Sequence, residues 1–492
     1  RDFSCCLLTR DHDILAIAEG IPIHIMGGPD LMAQAMAEIH PELRRGDAFL
    51  HNSPYHGNSH AADFSILVPV IDDDGKHHFT VFAKAHQADC GNAQPTTYMA
   101  DAKDVYAEGT LIFPCVKIQE EYVDCTDIIR MCELRIRVPE QWRGDHLALV
   151  GAARIGERRL LELGEEVTWD RLHSYTGQWF HYSEQRMIEA IRKFPSGRVV
   201  GHSSHDPIPV APEGIPVKSV IDVDSENAQI TVDLRENIDS LPCGLNLSEA
   251  SSRTAARIGV FNSLEPGIPV NEGSFRRINV KLRENCVVGI PIHPTSCSLS
   301  TTNVADRVAN SIQRAMAEFG DGFGMAEVGL VIPPAWAVLS GLDPRADNAP
   351  FINQIILPAV TGGAGSPYSD GWLTAGHVGN MGISFRDSVE LDEIHHPIRI
   401  VAQYLIPDSE GAGRFRGAPG AYVEYGPTES ELEVFYTSDG TINPAQGAQG
   451  GLAGAPAGQY KRDESGELTE LDGCGHVRLQ PGETVVSMSC GG

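Results

Sequence analysis

The chain has 492 residues, with 38 Lys and Arg against 66 Asp and Glu, which gives a formal net charge of −28. Nucleic acid and anionic membrane surfaces would be repelled by this charge, so neither is an expected partner. With 42% hydrophobic and 21% charged residues, the composition is that of a folded globular protein and excludes a disordered chain. The length predicts several domains, and no apolar run is long enough for a membrane span.

Strand-like alternation dominates the first part of the chain. Residues 3–19 predict a hairpin around a turn at 11–13, and helical spacing predicts a short helix over residues 30–39. Asp63–Ile71 and residues 77–85 both read as strands and flank an Asp-rich turn ending in Gly75. These two segments therefore predict a second hairpin.

The middle of the chain has the spacing of amphipathic helices. Residues 145–163 predict one helix, with Gly164 as its stop, and residues 183–194 predict another, with Ser183 as its N-cap. A third helix is predicted over residues 302–319, ending at Gly320. The sequence thus becomes helical after its β-rich beginning.

Strand patterns occur again in the second half, over residues 219–234, 431–436 and Thr484–Met488, among many Gly and Pro residues. The predicted fold class is α+β and multi-domain, with β-rich N-terminal and C-terminal parts around a helical middle segment. The predicted domains are a β-rich region, a helical segment, an α/β region and a Gly/Pro-rich β region, at residues 1–125, 126–200, 201–330 and 331–492.

The eleven cysteines are odd in number and irregularly spaced, and none forms a Cys-x-x-Cys pair. This pattern argues against a zinc ribbon or a disulfide framework and favours reduced thiols in a cytoplasmic protein. The chain begins at Arg1 without a Met and stops at Gly492. Both ends look cut, so we expect the protein to continue beyond them.

Two His-x-x-Asp pairs, His60 with Asp63 and His86 with Asp89, stand before and after the second predicted hairpin. Pairing of the strands would bring these ends close together, where imidazole and carboxylate donors suit Zn, Mn or non-haem Fe. The alternative is a core histidine that is hydrogen-bonded to a nearby aspartate. The spacing alone leaves both interpretations open.

Several ordered segments together resemble the hydantoinase B family. That family includes the B-type components of ATP-dependent hydantoinases, half of 5-oxoprolinase, and the alpha-type subunits of acetone and acetophenone carboxylases. The resemblance covers nearly the whole chain. The matching segments are RDFSC at 1–5, IPIH at 21–24, GD at 46–47, NSPY at 52–55, HAAD at 60–63, HQAD at 86–89, DVYAEG at 104–109, PCVK at 114–117, YSEQRM at 182–187, GAGRFRG at 411–417 and SCGG at 489–492.

The resemblance implies a divalent transition metal, Zn or Mn, held by aspartates and histidines. Carried over to this sequence, the ligands fall on Asp2, His60, Asp63 and His86. Asp89 would orient a histidine or a water, or would replace Asp2 as a ligand. It is also the candidate catalytic general base.

No GxxxxGK[ST] phosphate-binding loop occurs in the chain. ATP and Mg are therefore expected on a partner subunit of the hydantoinase A type. The loop at residues 411–417 is interpreted as a tight turn whose Arg414 and Arg416 form ion pairs. His377, in a loop of small residues, is interpreted as a hydrogen-bonded surface histidine in preference to a catalytic one.

The leading function implied by the resemblance is a B-type subunit that opens a cyclic amide, such as a hydantoin, oxoproline or lactam, after the partner has phosphorylated it. The alternative is the alpha-type subunit of an ATP-dependent ketone carboxylase, which would have a small third subunit. Gln87, where many hydantoinases have a second His, and the unusual segment 233–237 favour this alternative slightly. A third hypothesis is a metal-stabilised, non-catalytic scaffold with four protein ligands and no open position.

Overall fold

A computed structural model describes residues 2–18, 20–329, 333–357, 362–373, 377 and 386–492. The N-terminal part is a seven-stranded sheet in which every neighbouring pair of strands is antiparallel. Its strand order is β2-β1-β5-β4-β3-β6-β7. The strands are β1 (Phe3–Thr9), β2 (Ile14–Ile17), β3 (Ala48–His51), β4 (Asp63–Ile71), β5 (His77–His86), β6 (Val116–Glu120) and β7 (Val123–Asp124).

Both predicted hairpins are confirmed, as β1–β2 and as β4–β5. The strand β4 is buried along its whole length, because long helices cover one face of the sheet and the central core covers the other. The predicted helix at residues 30–39 is also present. The short helices of this part are α1 (Pro22–Ile25), α2 (Pro29–Ile39) and α3 (Val105–Glu108).

The helical middle consists of α4 (Thr126–Arg135), α5 (Pro139–Val167) and α6 (Trp169–Ile191). The prediction that Gly164 ends a helix is wrong, because α5 continues to Val167. A Cβ built on Gly164 would lie 2.4 Å from the ring of Trp169, so this glycine allows close packing against the start of α6. Helix α5 packs on β4 and β5 and closes the core on one face of the sheet.

The prediction that Ser183 is an N-cap is also wrong, because α6 begins fourteen residues earlier at Trp169. The Ser183 hydroxyl donates to the carbonyl of Trp179, four residues back in the same helix, at 2.9 Å. It also accepts a hydrogen bond from the Asn271 side chain at 2.8 Å. A serine satisfied in this way is compatible with a helix interior.

A four-stranded sheet follows, in the order β11-β10-β9-β8, and only its β10–β11 pair is parallel. The helices α7 and α9 pack on each other, and α9 also packs on β8 and β9. The elements are β8 (Gly197–His205), β9 (Ile215–Asp224), β10 (Gln229–Asp233), α7 (Glu249–Asn262), α8 (Glu272–Phe275), β11 (Ile278–Lys281) and α9 (Val304–Met316).

The C-terminal part contains two antiparallel sheets, in the orders β13-β12-β16-β19 and β14-β15-β20-β17-β18. Their facing sides form a separate apolar core. The elements are β12 (Val338–Asp343), β13 (Ala349–Gln354), α10 (Val389–His395), β14 (Ile398–Leu405), β15 (Ala421–Pro427), β16 (Leu432–Thr437), β17 (Gly458–Arg462), β18 (Leu468–Glu470), β19 (Cys474–Leu479) and β20 (Thr484–Met488).

The observed fold is the predicted α+β class, with β-rich ends around a helical middle. Arg414 and Arg416 pair with Asp321 and Glu410, as expected for the turn at residues 411–417. None of the eleven cysteines, all of which lie in the described ranges, forms a disulfide. In the described part of the chain, no helix has both the length and the apolar character needed to cross a membrane.

Candidate metal centre

The hairpin β4–β5 brings one end of each strand to the same place. Asp63, the first residue of β4, lies opposite His86, the last residue of β5. His60 is in the turn before β4, and this turn is braced by the buried Asn58, whose side-chain amide donates to the carbonyls of His60 and Asp63 at 2.6 and 2.9 Å. The structure therefore brings His60, Asp63 and His86 together at one end of the hairpin.

The three side chains form a compact buried group. Oδ1 of Asp63 lies 2.9 Å from Nε2 of His60 and 3.1 Å from Nδ1 of His86. The two ring nitrogens are 3.3 Å apart. One donor atom from each residue fits within a 4.8 Å span, which suits a single metal ion.

Two further side chains adjoin this group. His24, on α1, places Nε2 3.3 Å from Oδ2 of Asp63 and 3.4 Å from Oδ1 of Asp2. Asp2 precedes β1 and accepts, through its backbone carbonyl, the N–H of His86 at 3.0 Å. The structure thus places Asp2 beside the cluster, next to the other residues that the resemblance implies as ligands.

His24 had no predicted role, although it lies in the matching segment at residues 21–24. It is 36 residues before His60, on a helix of four residues, so no local periodicity points to the site. The only available signal was a histidine inside a matching segment next to the ligand-bearing RDFSC segment.

The hydrogen bond on the far side of His60 fixes what its ring presents to Asp63. Nδ1 of His60 lies 2.7 Å from the carbonyl oxygen of Ser298, which can only accept, so Nδ1 carries the proton. The neutral ring then presents the lone pair of Nε2 to the Asp63 carboxylate. Two electron-rich groups at 2.9 Å require a cation between them, either a proton or a metal ion.

Electrostatics supports the same view of Asp63. Burial alone would raise the pKa of Asp63, but His24 and His60 hold it well below its ordinary value. Burial likewise opposes charge on His60, and Asp63 outweighs this effect, so the pKa of His60 is raised. The pKa of His24 is lowered, mainly by burial. Asp63 is therefore an ionised carboxylate surrounded by imidazole rings.

A lysine behind the cluster was also missed from the sequence. Lys84 is buried on β5 and donates to the Ser59 hydroxyl at 2.9 Å, and that hydroxyl donates to Oδ2 of Asp63. Burial lowers the pKa of Lys84 to about 8. The chain from Lys84 through Ser59 orients Asp63, a role that outer hydrogen bonds have in metal sites. Lys84 lies in the alternating pattern of an ordinary strand, so its sequence context does not indicate a position near the candidate metal site.

The donor set fits a divalent transition metal. Oδ1 of Asp2 is buried and has no hydrogen-bond partner among the described residues, although it faces His24. A bound cation would satisfy this oxygen and the inward ring nitrogens together. Histidines with carboxylates and no thiolate are ligands that Zn and Mn accept.

A small cavity of about 20 Å³ lies beside the cluster, with room for about one water molecule. Asp2, His24 and His86 line it together with Tyr98, Trp336 and His377. Tyr98 also lines a second, mainly apolar cavity of about 240 Å³, which includes Ala100, Cys243, Leu245 and Phe435. Tyr98 thus separates the cluster from a larger space.

The structure does not bring Asp89 to this group. Its carboxylate pairs with Arg137 at 3.1 Å and accepts the backbone N–H groups of Gly91 and Arg137 at 3.1 and 2.5 Å. Within the described ranges it makes no hydrogen bond or ion pair with the metal-site cluster. Its contacts tie the end of β5 to the segment before α5, and they give the predicted general-base role no support.

The interpretation of His377 as a surface residue is wrong. Only 3% of the residue is exposed, and Nδ1 lies 2.9 and 3.0 Å from the two carboxylate oxygens of the buried Asp306. The small residues around His377 suggested an exposed loop, but this position packs against Trp336 and the start of α9.

The whole chain, residues 1–492, matches the family described as Hydantoinase B/oxoprolinase. The beta subunit of the caprolactamase of Pseudomonas jessenii is 25% identical over all of this chain and 84% of its own length. The B component of a putative D-/L-hydantoinase from a Pseudomonas species is 27% identical, over all of this chain and 83% of its own length.

Two solved structures share the fold. The crystal structure of the ATP-dependent caprolactamase from Pseudomonas jessenii has a TM-score of 0.86 at 23% identity, over the full chain and 84% of its counterpart. A nucleotide-free acetone carboxylase structure has a TM-score of 0.83 at 15% identity, covering the full chain and 70% of its counterpart. The chain belongs to the hydantoinase B/oxoprolinase family, and the named relatives are components of enzymes.

Proposed function

We propose that the chain is the metal-bearing B-type subunit of an ATP-dependent heteromeric enzyme that opens a cyclic amide, a hydantoin, oxoproline or lactam. A hydantoinase A-type partner binds Mg and ATP and phosphorylates the amide. The observation that carries the proposal is the buried group of His60, Asp63 and His86 beside a cavity, in a chain of this family.

Asp63, His60, His86 and either Asp2 or His24 would hold the ion. When bound, a divalent Zn or Mn ion lowers the pKa of a water and polarises a substrate oxygen. Ser298 fixes the His60 ring through Nδ1, and Thr97 contacts Nε2 of His86 at 3.1 Å. These contacts keep the inward nitrogens aimed at one point, which is the preorganisation that a catalytic site needs.

The need for a partner that activates the substrate follows from the chemistry of amides. An unactivated amide is a poor electrophile, and phosphorylation of its oxygen supplies a leaving group. The sequence contains no P-loop motif to hold ATP phosphates. The partner therefore supplies activation, and this chain receives the activated substrate. The cytoplasmic location remains a prediction.

The mainly apolar cavity behind Tyr98 supports a small substrate with an apolar ring. Its walls offer carbon atoms of Leu245 and Phe435 to methylene groups. The amide would react on the cluster side of Tyr98, where Asp2, His24 and His86 line the small cavity. We propose that the ring lies in this cavity and that its amide reaches past Tyr98.

A ketone carboxylase is the second candidate, supported by the fold shared with acetone carboxylase. The scaffold hypothesis has less support, because a closed structural site would leave no space beside its ligands, whereas this cluster faces a cavity.

The test uses the complex co-purified with its A-type partner. Mg-ATP is supplied with hydantoin, 5-oxoproline or caprolactam, and ring opening is followed by mass spectrometry. We expect ATP-dependent opening of at least one of these rings. The activity should be lost in His60→Ala and retained in the control His202→Ala, because His202 is exposed on β8. Carboxylation of acetone with bicarbonate, without ring opening, would establish the carboxylase instead. Metal without either reaction would establish the scaffold.

A further inference from the structure

His377, one of the residues that line the small cavity, forms a buried pair with Asp306, and neither residue is among the proposed metal ligands. Asp306 lies in the first turn of α9 and is 1% exposed, and His377 is 3% exposed. The pair joins segments 71 residues apart and was not expected from the sequence.

The geometry defines the state of the His377 ring. Both carboxylate oxygens of Asp306 lie within 3.0 Å of Nδ1, so Nδ1–H donates to the carboxylate. Nε2 is then on the side of the ring away from Asp306 and has a lone pair. Trp336 meets the ring edge to face at 5.6 Å and restricts its rotation.

The cavity places this ring near the reacting position. His377 lines the same cavity as Asp2, His24 and His86, and the cavity holds about one water molecule. Among the described residues that line this cavity, Tyr98 is the remaining titratable group, and burial raises its pKa well above the ordinary value.

We propose that His377 is the general base and acid of ring opening, and that Asp306 is its positioning residue; this inference rests on the proposed function. The water oxygen forms a bond to the amide carbon of the activated substrate while its O–H bond breaks. The released proton goes to Nε2 of His377, and Asp306 stabilises the resulting imidazolium. The bond from this carbon to the ring nitrogen then breaks and opens the ring. The nitrogen takes the proton held on Nε2 and the remaining proton of the attacking water, whose oxygen becomes the carbonyl of an acyl phosphate that a second water hydrolyses to carboxylate and phosphate.

This assignment replaces Asp89. The carboxylate of Asp89 is paired with Arg137, whereas His377 lines the cavity and its Nε2 lies on the side of the ring away from Asp306. The residues proposed for metal binding and the residue proposed for proton transfer thus meet at one cavity without sharing a contact among the described residues, so a variant of one group can leave the other intact.

The experiment compares His377→Ala and Asp306→Asn with the buried-histidine control His396→Gln, all in the partner complex. We expect normal metal content in all three. General-base catalysis supplies about 100- to 10,000-fold, so kcat in His377→Ala should fall at least 100-fold with KM little changed. Added imidazole should restore part of the rate. His396→Gln should keep the wild-type kcat.

A readout independent of turnover is ¹⁵N NMR of the chain labelled at histidine. The His377 resonance, assigned by its loss in His377→Ala, should show the Nδ1–H form in wild type. It should shift towards a mixture of tautomers in Asp306→Asn, which lacks the carboxylate charge.

Full kcat in His377→Ala with metal present would overturn the inference and leave the proposed function standing. Loss of metal in His377→Ala would also overturn it, because the residue would then support the ion. Absence of ring opening in the wild-type complex would reject the proposed function itself.

Discussion

The two groups of side chains that meet at the small cavity are built in different ways. The cluster comes from one hairpin: Asp63 and His86 are opposite each other in the β4–β5 register, and His60 is three residues from Asp63. The second group joins α9 to a residue distant in sequence, through Asp306 and His377. A local register therefore fixes the proposed metal donors, whereas tertiary packing alone places the proposed proton-transfer pair.

This difference has a functional consequence. The proposed donors depend on each other, because the ring nitrogens of His60, His86 and the neighbouring His24 are held against the same carboxylate of Asp63. The pair of Asp306 and His377 shares none of these contacts within the described residues. Substitutions in the cluster should thus change metal binding, and substitutions in the pair should change the rate of a metal-loaded enzyme.

The largest expected effect is that of Asp63→Asn. The substitution keeps the side-chain shape and removes the charge that compensates the cation. Loss of a residue that only hydrogen-bonds to a metal ligand lowers metal affinity by about 10- to 100-fold. Loss of a ligand itself should therefore lower the affinity by about 100-fold or more. The fold should survive. Asp74→Asn, in the exposed turn at the other end of the same hairpin, is the control. Elemental analysis and competition with a chelator measure the difference, and unchanged affinity would remove Asp63 from the site.

Asp89→Asn separates a structural role from a catalytic one. The substitution leaves the charge of Arg137 without its partner, which should lower the free energy of unfolding by about 2 kcal/mol. This is less than the cost of a fully buried unpaired charge, because the Arg137 side chain is partly exposed to solvent. The kcat of the folded complex should stay normal. Asp127→Asn, in an exposed pair with Arg130, should cost less than about 1 kcal/mol. Denaturant unfolding and turnover decide, and a normal stability with lost turnover would restore Asp89 as the base.

Lys84→Met tests the support behind the cluster by its pH dependence in the metal-free chain. The pKa of Lys84 is about 8 in the folded chain and 10.5 as its ordinary value. Between these values the unfolded chain keeps the proton that the folded chain has released, so wild-type stability should rise with pH relative to the variant. The expected gain is about 1–2 kcal/mol between pH 7.5 and 9.5.

Lys76→Met, exposed beside the hairpin turn, is the control and should show no such pH-dependent difference. Unfolding curves at several pH values provide the measurement. A wild-type advantage that is constant with pH would mean that Lys84 is not deprotonated in this range and that its burial is compensated by its partners.

The smallest expected effect concerns the apolar cavity behind Tyr98. Ala100→Phe should fill part of the space, and we expect KM to rise about 10-fold, as the loss of about 1.4 kcal/mol of binding implies. Metal content should be unchanged, because Ala100 lines the larger cavity and is not one of the described residues that line the small one. Ala100→Ser is the matched small substitution. Steady-state kinetics of both variants provides the measurement. An unchanged KM in Ala100→Phe would refute the proposed position of the substrate ring.

The hairpins could be predicted from sequence because alternation and turn residues determine pairing over a few residues. The predicted helices are shorter than the observed ones where a residue type occurs both at helix ends and inside helices. Gly164 reads as a stop but serves packing against Trp169, and Ser183 reads as a cap but bonds within α6. In each case a tertiary or intrahelical contact decided the outcome.

The site shows the same limit. His60, Asp63 and His86 could be predicted because strand pairing brings them together. Lys84 could not, since an ordinary strand position carries no signal of its neighbours. His24, on a four-residue helix, had no signal beyond its place in a matching segment. The burial of His377 could not be predicted because small neighbouring residues suggest exposure, whereas the burial comes from Trp336 and Asp306, which are distant in sequence.

Anomalous diffraction from crystals of the purified complex, at the Zn and Mn edges, tests the central claim most directly. We predict one strong peak within about 2.0–2.3 Å of Nε2 of His60, Nδ1 of His86 and a carboxylate oxygen of Asp63. The peak should be absent in Asp63→Asn crystals and present in His377→Ala crystals. A fully occupied complex whose only peak lies elsewhere would contradict the account.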